Sequence, residues 1–349
     1  MQKKREVTMA DVAALAGVAT STVSRALTDP DKISKKTVAK VLAAAENLGY
    51  TPNIMARNFR KGASTSILVV MPEFLHGGVS DVIPQMLQSI NRQLMEHGYS
   101  IMIANLGTSP QSHKPILDLA FGGTVCGAIL LSPTIPEDSG RSLLQATFPM
   151  VSTLFDLSEQ GIPSVVSDER GIMRRVTLDL HRRGFRHFFY ISGPDSSHQE
   201  FERFSGVKEA VEQAGADDSE LIKFGGQLGY QLAFDIGVQA AEAYLALDAE
   251  KSVVLSSSDS MSISFMRTIQ KAGKLIPDDV SIVSFDNAPV CEWLAPALSS
   301  ITFPYNGMAE SAVSILLKLI ENKNTDVAVR TVLSNRFIER ESSQLTAGV

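Results

Sequence analysis

The chain has 349 residues, 44% of them hydrophobic and 20% charged, with two cysteines and a net charge of −6. That length suggests two or three domains, and that balance excludes an intrinsically disordered chain. Cys126 and Cys291 are too few for a disulfide framework or a thiolate zinc site. No apolar run of about 18 residues and no signal peptide is visible, so a cytoplasmic protein without membrane or metal is expected.

The charge is uneven along the chain. Residues 1–65 hold eleven Lys and Arg against five acids, a net +6, which leaves −12 on the remainder. A basic head on an acidic body points to a polyanionic partner for the head. Chance clustering on a solvated surface is the alternative.

Thr8-Met9-Ala10-Asp11 has the spacing of a capping box, and Val12, Leu15 and Ala16 then form one apolar face. Gly17 stands where a tight turn between helices needs a permissive backbone. Thr20 to Thr28 reads as a second helix, with Val23, Ala26 and Leu27 inward and Thr20, Ser21, Ser24 and Arg25 outward. Pro30 stops it. Ser34 caps a third helix carrying Val38, Val41, Leu42, Ala45 and Leu48, and Gly49 ends that one. Two short helices joined through a glycine and closed by a third form a helix-turn-helix, whose second helix enters the DNA major groove. Short hydroxyls there approach base edges, and one Arg bonds bidentately to guanine. An ordinary three-helix bundle with a polar surface fits the same pattern.

Asn53 can cap a short helix ending near Gly62, with Met55 and Phe59 one turn apart. So short a helix is marginal alone, and it suits a segment that orders on DNA and wedges an apolar side chain into a base step. A plain linker whose Phe59 tucks against the body is the other reading.

The body alternates strand and helix. Strands are expected at 67–71, 100–104, 128–131, 150–153, 164–167, 187–191, 252–255 and 280–285. Helices are expected at 82–97, 173–183, 202–214, 228–247 and 262–272, with a last helix at 307–321 and a last strand at 332–338. This alternation implies parallel sheets covered on both faces, and the strands outnumber one compact sheet, so two α/β lobes are expected. A ligand between them would meet loops at the carboxyl ends of strands. The chain has no GxSxG, HExxH or Walker motif. Gly225-Gly226-Gln227-Leu228-Gly229 mimics part of a dinucleotide loop, but Asp248 is misplaced for a ribose. Asp259 and Asp286 each follow an apolar strand, as ligand-holding acids or as helix caps.

Asp11-Val12-Ala13, Gly17-Val18, Thr22-Val23-Ser24-Arg25, Leu48-Gly49-Tyr50 and Pro52-Asn53 resemble the lactose/purine-repressor family. So do Pro277-Asp278-Asp279-Val280-Ser281, Phe285-Asp286-Asn287, Pro296-Ala297-Leu298 and Ile338-Glu339-Arg340. The resemblance runs from about residue 8 to 343. It implies an all-α helix-turn-helix head (1–50), a hinge helix and linker (51–65), and an effector-binding and dimerisation domain (66–343). That domain is α/β, two-lobed and like a periplasmic binding protein, with lobe 1 at about 66–166 and 303–331 and lobe 2 at about 167–302 and 332–343. The function implied is a repressor that reads a pseudo-palindromic operator in double-stranded DNA as a homodimer, gated by a small polar metabolite between the lobes. No catalytic residue or cofactor goes with it. An α/β enzyme with an unrelated basic head is the alternative.

By the same resemblance Thr20, Ser21 and Arg25 read bases, and Met55, Ala56 and Phe59 meet in the minor groove. Phe59 replaces the usual Leu, and Ala19 a usual Ser or Thr. Arg203 with Gly206 matches an Arg-x-x-Gly motif whose Arg contacts the effector. Phe224 matches a stacking aromatic, Asp286 an effector-binding acid and Asp168 a crossover acid. Ser258 stands where Asn is common. His76-Gly77-Gly78-Val79 replaces Asn-Pro-Phe-Phe, which removes an aromatic wall and favours a sugar-like effector over a nucleoside-like one.

Overall fold

The computed structural model describes residues 7–28, 30–51, 64–72, 82–107, 109–215, 221–226, 233–247, 252–322 and 325–344. Asn53, Met55, Ala56, Phe59 and the segment His76–Val79 lie outside the described residues. The chain divides into two units, Met1–Ser64 and Thr65–Val349.

In the first unit α1 (Met9–Ala16), α2 (Thr20–Thr28) and α3 (Lys35–Leu48) surround a small core. Val12, Val23 and Val41 are fully buried in it, one from each helix. The Thr8 amide donates to the Asp11 carboxylate at 2.8 Å at the start of α1. Gly17, at φ 65°, and Gly49, at φ 64°, end α1 and α3 in the left-handed region that glycine occupies without strain. Ser34 caps α3 by accepting from the Thr37 amide.

The second unit opens with β1 (Ser66–Pro72), α4 (Val82–Glu96), β2 (Ser100–Leu106), α5 (His113–Phe121) and β3 (Gly127–Leu130). A two-residue hairpin pair, β4 (Glu137–Asp138) and β5 (Arg141–Ser142), precedes β6 (Met150–Thr153) and β7 (Ser164–Ser167). Then come α6 (Glu169–Arg182), β8 (His187–Ser192), α7 (His198–Gln213), β9 (Leu221–Gly225), α8 (Ala233–Leu245) and β10 (Ser252–Ser256). Next are α9 (Asp259–Lys271), β11 (Val280–Asp286), β12 (Ser299–Thr302), α10 (Tyr305–Glu321), β13 (Arg330–Leu333) and β14 (Phe337–Ile338).

Two sheets result, ordered β13-β7-β6-β3-β1-β2 and β14-β12-β11-β10-β8-β9. Every pairing in them is parallel except β12 with β14. Alternate residues of β1 face opposite layers: Ile67 and Val69 join one buried cluster, Leu68 and Val70 another. That is why the strand reads as a continuous apolar run. The chain passes between the sheets after β7, after β12 and between β13 and β14. The first two passages leave from carboxyl ends of parallel strands, so the carboxyl ends of both sheets face each other across the passages. Among the described residues no helix is long and apolar enough to cross a membrane.

The expected last strand, 332–338, is two strands in two sheets. Leu333 still pairs with Ser167 in the first sheet, and Phe337 pairs with Ile301 in the second. The passage therefore falls between Leu333 and Phe337, not at 331–332, and Ser167 belongs with the first lobe. Arg330 anchors β13 there through Asp156, at 2.5 Å.

Candidate functional site

The head and the body each carry a candidate site. On α2, Val23 and Ala26 are buried while Thr20, Ser21 and Arg25 are exposed and Ser24 is half-buried. Helical spacing puts these four polar side chains on the face opposite the core. Three hydroxyls, those of Thr20, Ser21 and Ser24, and the Arg25 guanidinium together can approach base edges and a guanine. Ala19 offers α2 only its carbonyl, which accepts from Thr22 at 2.8 Å and Val23 at 3.1 Å.

In the body the passages bring several polar groups together at the facing strand ends. The Gln199 amide donates to the Leu154 carbonyl at 3.4 Å, from the second lobe to the first. A cavity of about 220 Å³ opens beside it, between Leu154 and Ser167 on one side and His198 and Glu202 on the other. None of the effector residues expected from sequence lines this cavity; Glu169 does.

Glu169 holds Arg203. The Arg203 Nε donates to Glu169 Oε2 at 2.6 Å, and its Nη1 donates to the Ser257 carbonyl. Its guanidinium lies 3.8 Å from the centroid of the Phe285 ring, next to Asp286. Burial alone would depress Arg203, but Glu169, Asp286 and Glu200 together hold it above its usual value. Glu200, on the same helix, accepts from Tyr190 and, at 3.2 Å, from Ser192. Burial and then Glu200 push the Tyr190 phenol well above its usual value. Residue spacing gave no signal for Glu169 or Glu200, because a single acid at the start of a helix reads as an N-terminal charge.

Asp286 ends β11 at φ 106°, and Asn287 follows at φ 55°. Two successive residues with positive φ cost of the order of 1–3 kcal/mol each unless their surroundings over-determine them. Here Asp259 does so. It is 2% exposed and accepts from the Ala288 amide at 2.6 Å and the Ser300 hydroxyl at 2.8 Å. Ser300 in turn accepts from the Asn287 amide at 3.0 Å. Of the two readings open for Asp259, ligand acid or cap, the structure gives neither: it is the buried anchor of the turn that presents Asp286.

The other expected residues are placed differently. Asp168 caps α6 by accepting from the Gly171 amide at 3.0 Å, and it pairs with Arg175 at 3.1 Å. Ser258 caps α9 by accepting from the Met261 amide at 3.4 Å, beside the carbonyl of Ser257 that Arg203 uses. Phe224 stacks on Phe189 at 6.2 Å and packs against the buried cluster that holds Phe189, Ile236 and Phe265. Arg203, Asp286 and Ser258 are thus brought to one corner, with Asp168 and Phe224 engaged elsewhere.

Asp259 yields a pH prediction. Burial raises its carboxyl above the usual value, although the Ala288 amide and Ser284, Ser300 and Cys291 hold the charged form. As pH rises, the unfolded carboxyl therefore loses its proton before the folded one. The group's contribution to stability is greatest below the usual carboxylate range and falls as pH climbs through the folded value. Asp259→Asn should remove that fall. Urea denaturation of both proteins across pH measures it, and parallel curves would count against the assignment.

The model for "Bacterial regulatory proteins, lacI family" matches residues 8–53, and that for "Periplasmic binding protein-like domain" matches residues 178–343. The HTH-type transcriptional repressor CytR of Escherichia coli (strain K12) is 29% identical over 325 residues, covering 92% of this chain and 93% of that protein. The structure of a transcriptional regulator CelR–cellobiose complex matches with a TM-score of 0.68 and 28% identity, over 97% of this chain and 100% of that one. The lac repressor dimer bound to operator and the anti-inducer ONPF matches with a TM-score of 0.80 and 21% identity, over 98% of this chain and 100% of that one.

Proposed function

The chain belongs to the lacI family of bacterial regulatory proteins, and from that premise we propose that it represses transcription as a homodimer on a pseudo-palindromic operator, released or engaged by a small polar metabolite held between its two lobes. What supports the reading most directly is α2, whose exposed Thr20, Ser21 and Arg25 stand opposite the buried Val23 and Ala26. One such helix reads too few base pairs for genomic specificity, whereas two related by a dyad read two half-sites. The lac repressor of similar fold is a dimer on its operator. By the family resemblance Met55, Ala56 and Phe59 belong to the minor-groove side of the same interface, with Asn53 at the start of the hinge helix that carries them.

The chain acts in the cytoplasm, where operators are, and binds rather than catalyses. Its effector is sugar-like or nucleoside-like and takes the place of a cofactor. A metabolite gates the protein only by favouring one arrangement of the lobes over the other.

Capture of genomic fragments by the purified full chain, with and without a cell's small metabolites, tests the reading. On the captured operator, Arg25→Ala should weaken binding by about 1–3 kcal/mol per half-site and relax selectivity at one guanine. Its binding to unrelated DNA should change little, because that rests on phosphate contacts. An Arg25→Ala protein with wild-type affinity and selectivity would sink the assignment of α2 as the reading helix.

A further inference from the structure

In each of the three passages the hydrogen bonds change lobe over a single residue. In the first, the Asp168 amide donates to the Leu333 carbonyl of the first lobe at 2.9 Å. The Asp168 carbonyl accepts from Ile172 of α6, in the second lobe, at 3.1 Å. In the second, Thr302 closes β12 and Tyr305 opens α10, with the Tyr305 amide bonded back to the Phe303 carbonyl at 2.9 Å. In the third, Leu333 still pairs with Ser167 in the first sheet, whereas Asn335 and Arg336 are already bonded to the second. A rotation of one lobe against the other is thus absorbed at Asp168, Phe303 and Ser334, because hinges are a few element-terminal residues that take up the change in φ and ψ.

The bonds of Asn335 and Arg336 converge on one residue, Thr302. Its amide donates to the Arg336 carbonyl at 2.7 Å. Its hydroxyl accepts from the Arg336 amide at 3.0 Å, and its carbonyl accepts from the Asn335 Nδ2 at 2.9 Å. Asn335 is 4% exposed, while Ser334 and Arg336 on either side are exposed. A side-chain amide is costly to bury unless it is bonded, so this clasp has one strongly preferred geometry. Thr302 is also the strand partner of Asp286, the acid that the resemblance assigns to the effector. Ser300, two residues earlier on β12, accepts from the Asn287 amide of the same turn at 3.0 Å. The turn that presents Asp286 and the clasp are therefore one piece of the β11–β12 ladder.

We propose that Thr302 and Asn335 are positioning residues of the gate: they bind the second and third passages to the Asp286 turn as one rigid piece, so that a metabolite held at that turn moves both passages together and the lobes pivot at Phe303 and Ser334. The proposal rests on the gated-regulator reading and names the residues that transmit it. Both residues act through the backbone they fasten. Without the clasp the two passages flex independently, and occupancy at Asp286 no longer selects one arrangement of the lobes.

Amide hydrogen exchange on the metabolite-free full chain tests the clasp. After correction for intrinsic rates, the Arg336 amide should exchange about tenfold or more slower than that of Ser334. Thr302→Val keeps the branched shape and removes the accepting oxygen, so it should release Arg336 to the rate of Ser334. Equal protection at the two positions in wild type would overturn the proposal. Operator binding with and without the metabolite fraction that alters operator capture tests the transmission. In Thr302→Val and Asn335→Leu the effect of that fraction should shrink about tenfold, with affinity in its absence within about threefold of wild type. Ser262→Ala is the control, because it breaks a buried hydroxyl bond to Ser284, 2.8 Å long, inside the second lobe. It should lower the unfolding temperature and leave the metabolite effect intact. Should a clasp variant fail to fold, Ser334→Pro stiffens an exposed pivot residue without removing a bond of the clasp, and it should blunt the effect in the same way. An undiminished metabolite effect in the folded variants, or an equal loss in Ser262→Ala, would overturn the proposal. Failure of the gated-regulator reading shows separately, as wild-type operator binding that no metabolite fraction alters.

Discussion

Arg203→Ala should cost about 3–5 kcal/mol of folding stability, because it strands buried carboxylates without a cation. The side chains of Arg203 and Glu169 are 11% and 6% exposed, so this pair lies well inside the range where removing one partner is costly. The magnitude separates two roles for the residue. A guanidinium reserved for the effector would be partly solvated in the free protein, and its loss would cost less than about 1 kcal/mol. The double variant Arg203→Met with Glu169→Gln should recover a large part of the loss, since no unpaired charge is then left at that pair. Chemical denaturation of the two single variants and the double gives the coupling directly. A small loss in Arg203→Ala, or a double variant no better than the single one, would mean that the ion pair is not what holds this corner. One practical consequence follows for effector binding. Weak binding by Arg203→Ala alone would not separate a lost contact from a loosened lobe, so Asp286→Ala is the sharper variant for that question.

Much of this architecture was legible because apolar runs and caps are strong local signals. β6 and β7 fall where the runs at 150–153 and 164–167 place them. What was hidden has identifiable causes. β12 is Ser299-Ser300-Ile301-Thr302, a buried strand written mostly in hydroxyls. Burial is possible because those hydroxyls are spoken for: Ser299 donates to the Arg340 carbonyl at 2.9 Å and Ser300 to Asp259 at 2.8 Å. β9 lies at a sheet edge with Ile222 and Lys223 exposed, so it lacks the apolar run that marks a central strand. Helix starts were placed late at α6, α7 and α9, since their first turns carry Glu169, Glu200 and Asp259 rather than apolar residues. Those three acids are buried because they serve the site. The polar character that obscured the helix starts is thus the same character that builds the corner around Arg203 and Asp286. The resemblance supplied Arg203 and Asp286, but a motif names one residue at a time. Which carboxylate answers which cation is a matter of how α6, α7 and the strand ends meet in space.

Gly206→Ala separates helix propensity from packing, because the two give opposite signs. In an exposed helix interior the change would stabilise by about 1 kcal/mol, since glycine has the larger conformational entropy to lose. At this position a Cβ would stand 2.3 Å from the Arg170 carbonyl oxygen and 3.0 Å from the Met173 Cβ. The nearest atom belongs to the backbone of α6, so no rotamer change can relieve the overlap and the two helices must move apart. Overpacking of this kind costs about 1–3 kcal/mol, occasionally more, and outweighs the propensity gain. Arg203 lies one turn before Gly206 on α7, and its bond to Glu169 crosses to the first turn of α6. Separation of the helices therefore lengthens the ion pair too. The two members of the Arg-x-x-Gly motif act through one interface, the glycine by letting the helices approach and the arginine by using the approach. Gly206→Ala should lower the denaturation midpoint, and adding Met173→Ala should restore little, because the closest clash is with backbone. An unchanged or raised midpoint in Gly206→Ala would show that the helices have room, and with it that the close approach does not fix the position of Arg203.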